Sequence, residues 1–238
     1  MLLWMIAAVF AYFVKGLCGF ANTLVFTSIL AYGENNAVIA PVDLLVGCPA
    51  NMLMAWRYRR EADWHVWLPM AVMMMIGIIP GVFFLKNVDA RIVKMIFGAV
   101  VTGIGVEMLL RERSHGVRKG SKPVMMVIGV LSGVLCGLYG VGALLAAYFS
   151  RTTTDSRAFK GSLSIVFLLE NLFRVVLYSV TGVFTWTIVK RAALMLPCMA
   201  LGLFIGMKSA GRISEKSAKR IVIVMLIVSG VALIITNL

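Results

Sequence analysis

The chain has 238 residues; 61% are hydrophobic, only 14% are charged, and the formal net charge is +13. Ordinary globular proteins carry about 25% charged residues, and a soluble domain of this length has too little interior to hide so much apolar side chain. The composition excludes soluble, disordered and disulfide-rich secreted classes and points to a polytopic membrane protein. No basic segment is long enough to fold alone on nucleic acid.

Met1–Tyr32 opens the chain. As a helix it is about 48 Å long, too long for one crossing of a hydrocarbon core about 30 Å thick and too short for two. Without a basic start or a small-residue cleavage site, it is expected to be mature membrane segment and not a signal peptide. Its middle reads Lys15-Gly-Leu-Cys-Gly-Phe-Ala-Asn22. Crossing helices are predicted next over Ala37–Trp56, Trp67–Leu85 and Met95–Leu110. Pro123–Phe149 repeats the behaviour of the first segment, around Gly133-Val-Leu-Cys-Gly-Leu-Tyr-Gly-Val-Gly142. Three more crossings are predicted over Gly161–Val180, Ala192–Met207 and Ile221–Ile235. Irregular backbone at membrane depth survives only where protein buries it or water reaches it. Both glycine-rich segments therefore read as hairpins entering halfway or as broken helices. Spanning helices whose glycines serve packing are the competing reading.

Charge orients the chain. If both glycine-rich segments return to the side they entered from, sixteen Lys and Arg fall on one side, within 57–60, 111–122, 151–160 and 208–220, and five on the other, at Lys86, Arg91, Lys94, Lys190 and Arg191. Lys15 and Arg174 stay within the membrane. Positive residues favour the cytoplasm, so both termini are expected outside. Trp4, Trp56, Trp64, Trp67 and Trp186 lie near span ends and read as an interfacial belt.

The halves correspond in order. Cys18-Gly19 matches Cys136-Gly137, Asn51 matches Asn171, Tyr58 matches Tyr178, Leu68-Pro69 matches Leu196-Pro197, and Gly77-x-x-x-Gly81 matches Gly202-x-x-x-Gly206. The expected fold is all-α: two inverted membrane repeats, 1–115 and 123–238, joined by a basic linker, 116–122. Each repeat is a glycine-rich broken or re-entrant helix followed by three transmembrane helices. Inverted repeats whose interrupted helices meet near the midplane are a common secondary-transporter plan.

This order, with Gly16-Leu-Cys-Gly-Phe-Ala-Asn22, Gly137-Leu-Tyr-Gly-Val-Gly142 and the Asp63-Trp64 turn, resembles the sulfite exporter TauE/SafE family of permeases over nearly the whole chain. Members usually carry more glycine in the first motif; here Ala21-Asn22 stands in that place. The resemblance implies export or uptake of small anions, often sulfite, sulfonates or related sulfur compounds. The expected location is a cell membrane, crossed several times, in bacteria the inner or plasma membrane.

Ionisable side chains buried in a membrane are costly and mark candidate sites. Lys15 either supplies positive charge to an anion or snorkels to the interface. Asn22 follows the first break, where free N–H groups and the positive end of a half-helix favour anions. Asn51 and Asn171 form a repeated polar pair; interhelical hydrogen bonding that only holds the bundle is the alternative. Tyr139 lies in the second motif. Arg174 is four residues from Glu170, close enough for an ion pair on one helix. The expected anion site is Lys15, Asn22, Asn51, Tyr139, Asn171 and Arg174, with Asp43 and Glu170 as proton-coupling candidates. Cys18, Cys136, Gly19 and Gly140 are further candidates to line the path.

No catalytic, metal or nucleotide motif accompanies these residues, so no enzyme activity, metal or cofactor is expected. The expected partners are a small anion and the lipid bilayer, with self-association left open. A proton-coupled carrier working by alternating access is the leading reading. A passive anion channel and a membrane-embedded lipid-modifying enzyme are the alternatives.

Overall fold

A computed structural model describes residues 1–87, 89–111, 122–140, 142–152, 156–210 and scattered positions between 220 and 235. Among the described residues, helices are the only regular structure: α1 (Leu2–Cys18), α2 (Asn22–Leu30), α3 (Asn36–Tyr58), α4 (Trp64–Asn87), α5 (Ala90–Arg111), α6 (Lys122–Tyr139), α7 (Ala143–Thr152), α8 (Ser156–Val180) and α9 (Trp186–Ser209). Among the described residues, four helices are long and apolar enough to cross a membrane: Asn36–Tyr58, Trp64–Phe84, Arg157–Val180 and Trp186–Ser209. They coincide with four of the six predicted crossings. The predicted Met95–Leu110 crossing lies inside α5. Ile221–Ile235 and the basic linker fall largely outside the described residues.

Local chemistry sets the helix starts. Asn35 caps α3 by accepting a hydrogen bond from the Ala37 N–H. Asp63, the acidic residue of the Asp63-Trp64 turn, accepts from the His65 N–H at 3.0 Å and opens α4. Thr185 caps α9 through the Ile188 N–H. Each supplies an acceptor to a donor the helix cannot pair internally.

Both glycine-rich segments are interrupted, as expected, but late in each motif. Gly19 and Ala21 take left-handed backbone angles, φ 86° and 73°, between α1 and α2. Gly140, at φ 72°, ends α6 before α7. The arms are unequal: 17 and 9 residues in the first pair, 18 and 10 in the second. The short arms, at about 1.5 Å per residue, cannot cross a hydrocarbon core. In the first pair the start of α1 meets α2 and the turn after it: Trp4 Nε1 donates to Glu34 Oε1 at 3.3 Å, and Trp4 and Phe26 meet edge to face at 5.7 Å.

Glycines on α1, α4, α6 and α9 serve packing. α1 packs most extensively against α9, and α4 against α6. A methyl on Gly16 would lie 2.6 Å from the Leu203 carbonyl oxygen, and one on Gly137 would lie 2.6 Å from that of Ile78, so both crossings need bare backbone. Gly202 and Gly206 face α1, while Gly77 and Gly81 face α6. Gly133 and Gly137 thus belong to a helix interface, the packing reading, and only Gly140 and Gly142 to the break. The pairing of Cys18-Gly19 with Cys136-Gly137 is corrected accordingly: Gly16 shares its role with Gly137, and Gly19 with Gly140. Three of the tryptophans, Trp56, Trp64 and Trp186, are exposed as an interfacial belt requires, but Trp4 is turned inward onto Phe26 and Glu34.

The helices are apolar outside, and a cluster of polar side chains lies within an otherwise apolar core. Phe83 and Phe84 on α4, Leu53 on α3 and Phe204 on α9 are exposed, while Lys15, Asp43, Glu170 and Arg174 are buried. Lipid accepts the first set, and the second must find partners inside. α3 and α8 pack along one another and carry most of these polar groups.

Candidate anion site

The first break, α3, the second break and α8 enclose a cavity of about 30 Å³. The first break contributes Phe20, Ala21, Asn22 and Thr23; α3 contributes Asp43, Gly47 and Asn51. Gly140 and Gly142 come from the second break, and Phe167, Glu170, Asn171 and Arg174 from α8. Helical spacing explains the last group: residues three, four and seven positions beyond Phe167 fall on one face.

Arg174 is 2% exposed. Its Nη1 donates to Glu170 Oε1 at 3.0 Å, and its Nη2 to the Tyr178 hydroxyl at 3.1 Å. The Tyr178 hydroxyl in turn lies 3.4 Å from the Gly137 carbonyl oxygen it donates to. Nε of Arg174 has no hydrogen-bond partner among the described residues, and neither has Oδ1 of Asn51. Glu170 thus engages Arg174 without exhausting its donors. Gly140 is needed beside this guanidinium for two reasons. Its backbone is left-handed, and a methyl there would sit 3.1 Å from Nη1.

Across the cavity, Lys15 Nζ donates to Asn22 Oδ1 at 3.0 Å, and Asn22 Nδ2 donates to the Thr23 hydroxyl at 3.3 Å. The Thr23 hydroxyl donates to Asp43 Oδ2, and the Tyr12 hydroxyl donates to Asp43 Oδ1 at 3.2 Å. One hydrogen-bonded chain therefore joins Lys15 to Asp43 and Tyr12.

Of the residues expected at an anion site, Asn22, Asn51, Asn171 and Arg174 line this one cavity, as do both carboxylates and Gly140. Lys15 does not line it. It is fully buried, which excludes snorkelling, and its hydrogen bond to Asn22 links it to the cavity. Cys18, Gly19 and Cys136 do not line it either. Both cysteines are buried in helices, and Gly19 is turned against the Lys160 side chain, whose Nζ donates to the Leu17 carbonyl oxygen at 3.1 Å. The Tyr139 side chain lies outside the described residues. Tyr12, Thr23, Phe167 and Tyr178 are participants that the sequence reading missed. Tyr12 had a signal, since it stands three residues before Lys15 on the same helical face. Phe167 had none, because an apolar residue in an apolar span draws no attention. Among the described residues no group of three or more His, Cys, Asp or Glu side chains is placed to hold a metal ion.

Residues 4–233 match the family model Sulfite exporter TauE/SafE. The chain belongs to this family. No curated protein and no solved structure matches it. As a TauE/SafE member with several apolar helices, the chain is a multi-pass membrane transporter. The family match spans both glycine-rich segments and α1 to α9 but for the first two residues of α1.

Proposed function

We propose that the chain is a secondary transporter of the cell membrane that carries a small sulfur-containing anion, such as sulfite, by alternating access, with protons coupled through Asp43 and Glu170. The observation that carries this reading is the convergence of both breaks, three asparagines and Arg174 on one buried cavity. Lipid cannot solvate an anion, so a desolvated one needs several donors together. The first turns of α2 and α7, which begin at the two breaks, leave backbone N–H groups without a helical acceptor close to those side chains. Two carboxylates within the same cluster supply groups able to exchange a proton as the anion moves.

Two inverted repeats are part of the proposal. The crossed packing of α1 on α9 and α6 on α4, each through glycines, supports it. So does the matching break at Gly19 and Gly140. The meeting of Trp4 with Glu34 supports a re-entrant first segment. In this arrangement, rocking of one half against the other exposes the cavity to each side in turn.

Purified protein in liposomes, assayed for sulfite flux with and without a pH gradient, tests the reading. Saturable flux that an inward proton gradient drives is expected. Flux that is non-saturable and insensitive to the gradient makes the protein a channel. Asn51→Leu combined with Asn171→Leu should abolish flux in folded, monodisperse protein; unchanged flux removes the site from this cavity.

A further inference from the structure

Phe167 stands between the two broken helices. Its ring touches the second break so closely that a methyl on Gly142 would collide with Cε1 and Cζ. On its other side, Lys15 Nζ lies 5.9 Å from the ring centroid. The ring lines the cavity one helical turn before Glu170 and Asn171. The space left is about 30 Å³, where a single water needs roughly 10–15 Å³. A compact oxyanion, with its oxygens gathered about one central atom, fills such a space. A tail on that atom needs more room than this, and the Phe167 ring, held against Gly142, is one of the walls it would meet.

We propose that Phe167 is a specificity-determining residue, closing the cavity against any substituent on the anion's central atom. The site then takes sulfite and rejects organosulfonates, although both present the same three oxygens to Arg174 and the asparagines. The polar groups read the oxyanion head, and the aromatic ring reads the absence of a tail. This inference rests on the anion-carrier reading above and narrows its substrate class.

The test uses the full chain in liposomes. Uptake of radiolabelled sulfite is competed with methanesulfonate, ethanesulfonate and propanesulfonate, in wild type, Phe167→Ala and Phe167→Leu. In wild type, competition should weaken about tenfold or more as the tail is introduced and lengthened, the discrimination expected of a pocket too small for an added methylene. Phe167→Ala should narrow the sulfite-to-sulfonate ratio by about tenfold, whereas Phe167→Leu, which keeps an apolar plug, should retain most of it. Wild-type protein that accepts ethanesulfonate as readily as sulfite overturns the proposal, and this measurement stands even if Phe167→Ala does not fold. An unchanged ratio in folded Phe167→Ala also overturns it while leaving the carrier intact. Absence of any sulfite binding or uptake in wild type sinks the carrier reading itself, and the inference with it.

Discussion

Removing either member of the Glu170–Arg174 pair should have unequal consequences. Both side chains are almost wholly buried, with Nη1 and Oε1 3.0 Å apart. At that separation two unit charges attract by about 5 kcal/mol for an effective dielectric of about 20. Glu170→Leu leaves a guanidinium that cannot shed its charge and, among the described residues, retains only the Tyr178 hydroxyl as a side-chain partner. The expected loss is about 3–5 kcal/mol, typical for a buried charge left unpaired. Arg174→Leu leaves a carboxyl that can take up a proton and become neutral, so it should cost less. The double variant carries neither charge and should recover most of the loss, because apolar replacement of a whole buried pair is often near neutral. Unfolding in mixed micelles, followed by tryptophan fluorescence, gives the four free energies of the cycle. A coupling below about 1 kcal/mol, or equal losses for the two single variants, would refute the pairing and the desolvation argument behind it.

The glycine crossings predict that Gly16→Ala, which sets a methyl 2.6 Å from the Leu203 carbonyl oxygen and 2.7 Å from the Met207 nitrogen, destabilises the α1–α9 contact by about 1–3 kcal/mol. Gly33→Ala, which meets nothing within 4 Å, should melt like wild type; equal melting temperatures for the two variants would remove the close-packing argument. Tyr12→Phe deletes a donor to Asp43 and should cost about 1–3 kcal/mol while reducing sulfite flux, both measurable on one preparation. If protons are coupled through the two carboxylates, Asp43→Asn and Glu170→Gln should lose the response of flux to a pH gradient, and a full response in both variants assigns coupling elsewhere. Gly116→Cys should react with an impermeant thiol reagent only from the cytoplasmic side, and labelling from outside would reverse the orientation read from the basic segments.

Span composition and the chemistry of single residues were readable from sequence because they depend on local properties. An apolar run long enough to cross lipid needs no partner to be recognised, and four such runs lie within helices, two of which start five or six residues earlier than expected. A charge in an apolar run is costly wherever it lies, so Asp43, Glu170, Lys15 and Arg174 stood out before any contact was known. The repeated asparagines followed from order along the chain. Tertiary structure decided what distance in sequence hides. Glycine serves both a left-handed turn and a close helix crossing, and sequence cannot divide the two uses. Contacts with α9 and α4 assign Gly16 and Gly137 to packing, leaving Gly19 and Gly140 as the turning points. Lys15 looked like a direct anion ligand because its charge was visible, yet its partner Asn22 stands between it and the cavity. Phe167 was invisible for the opposite reason: its significance is steric, and steric limits exist only once α8 is packed beside both breaks.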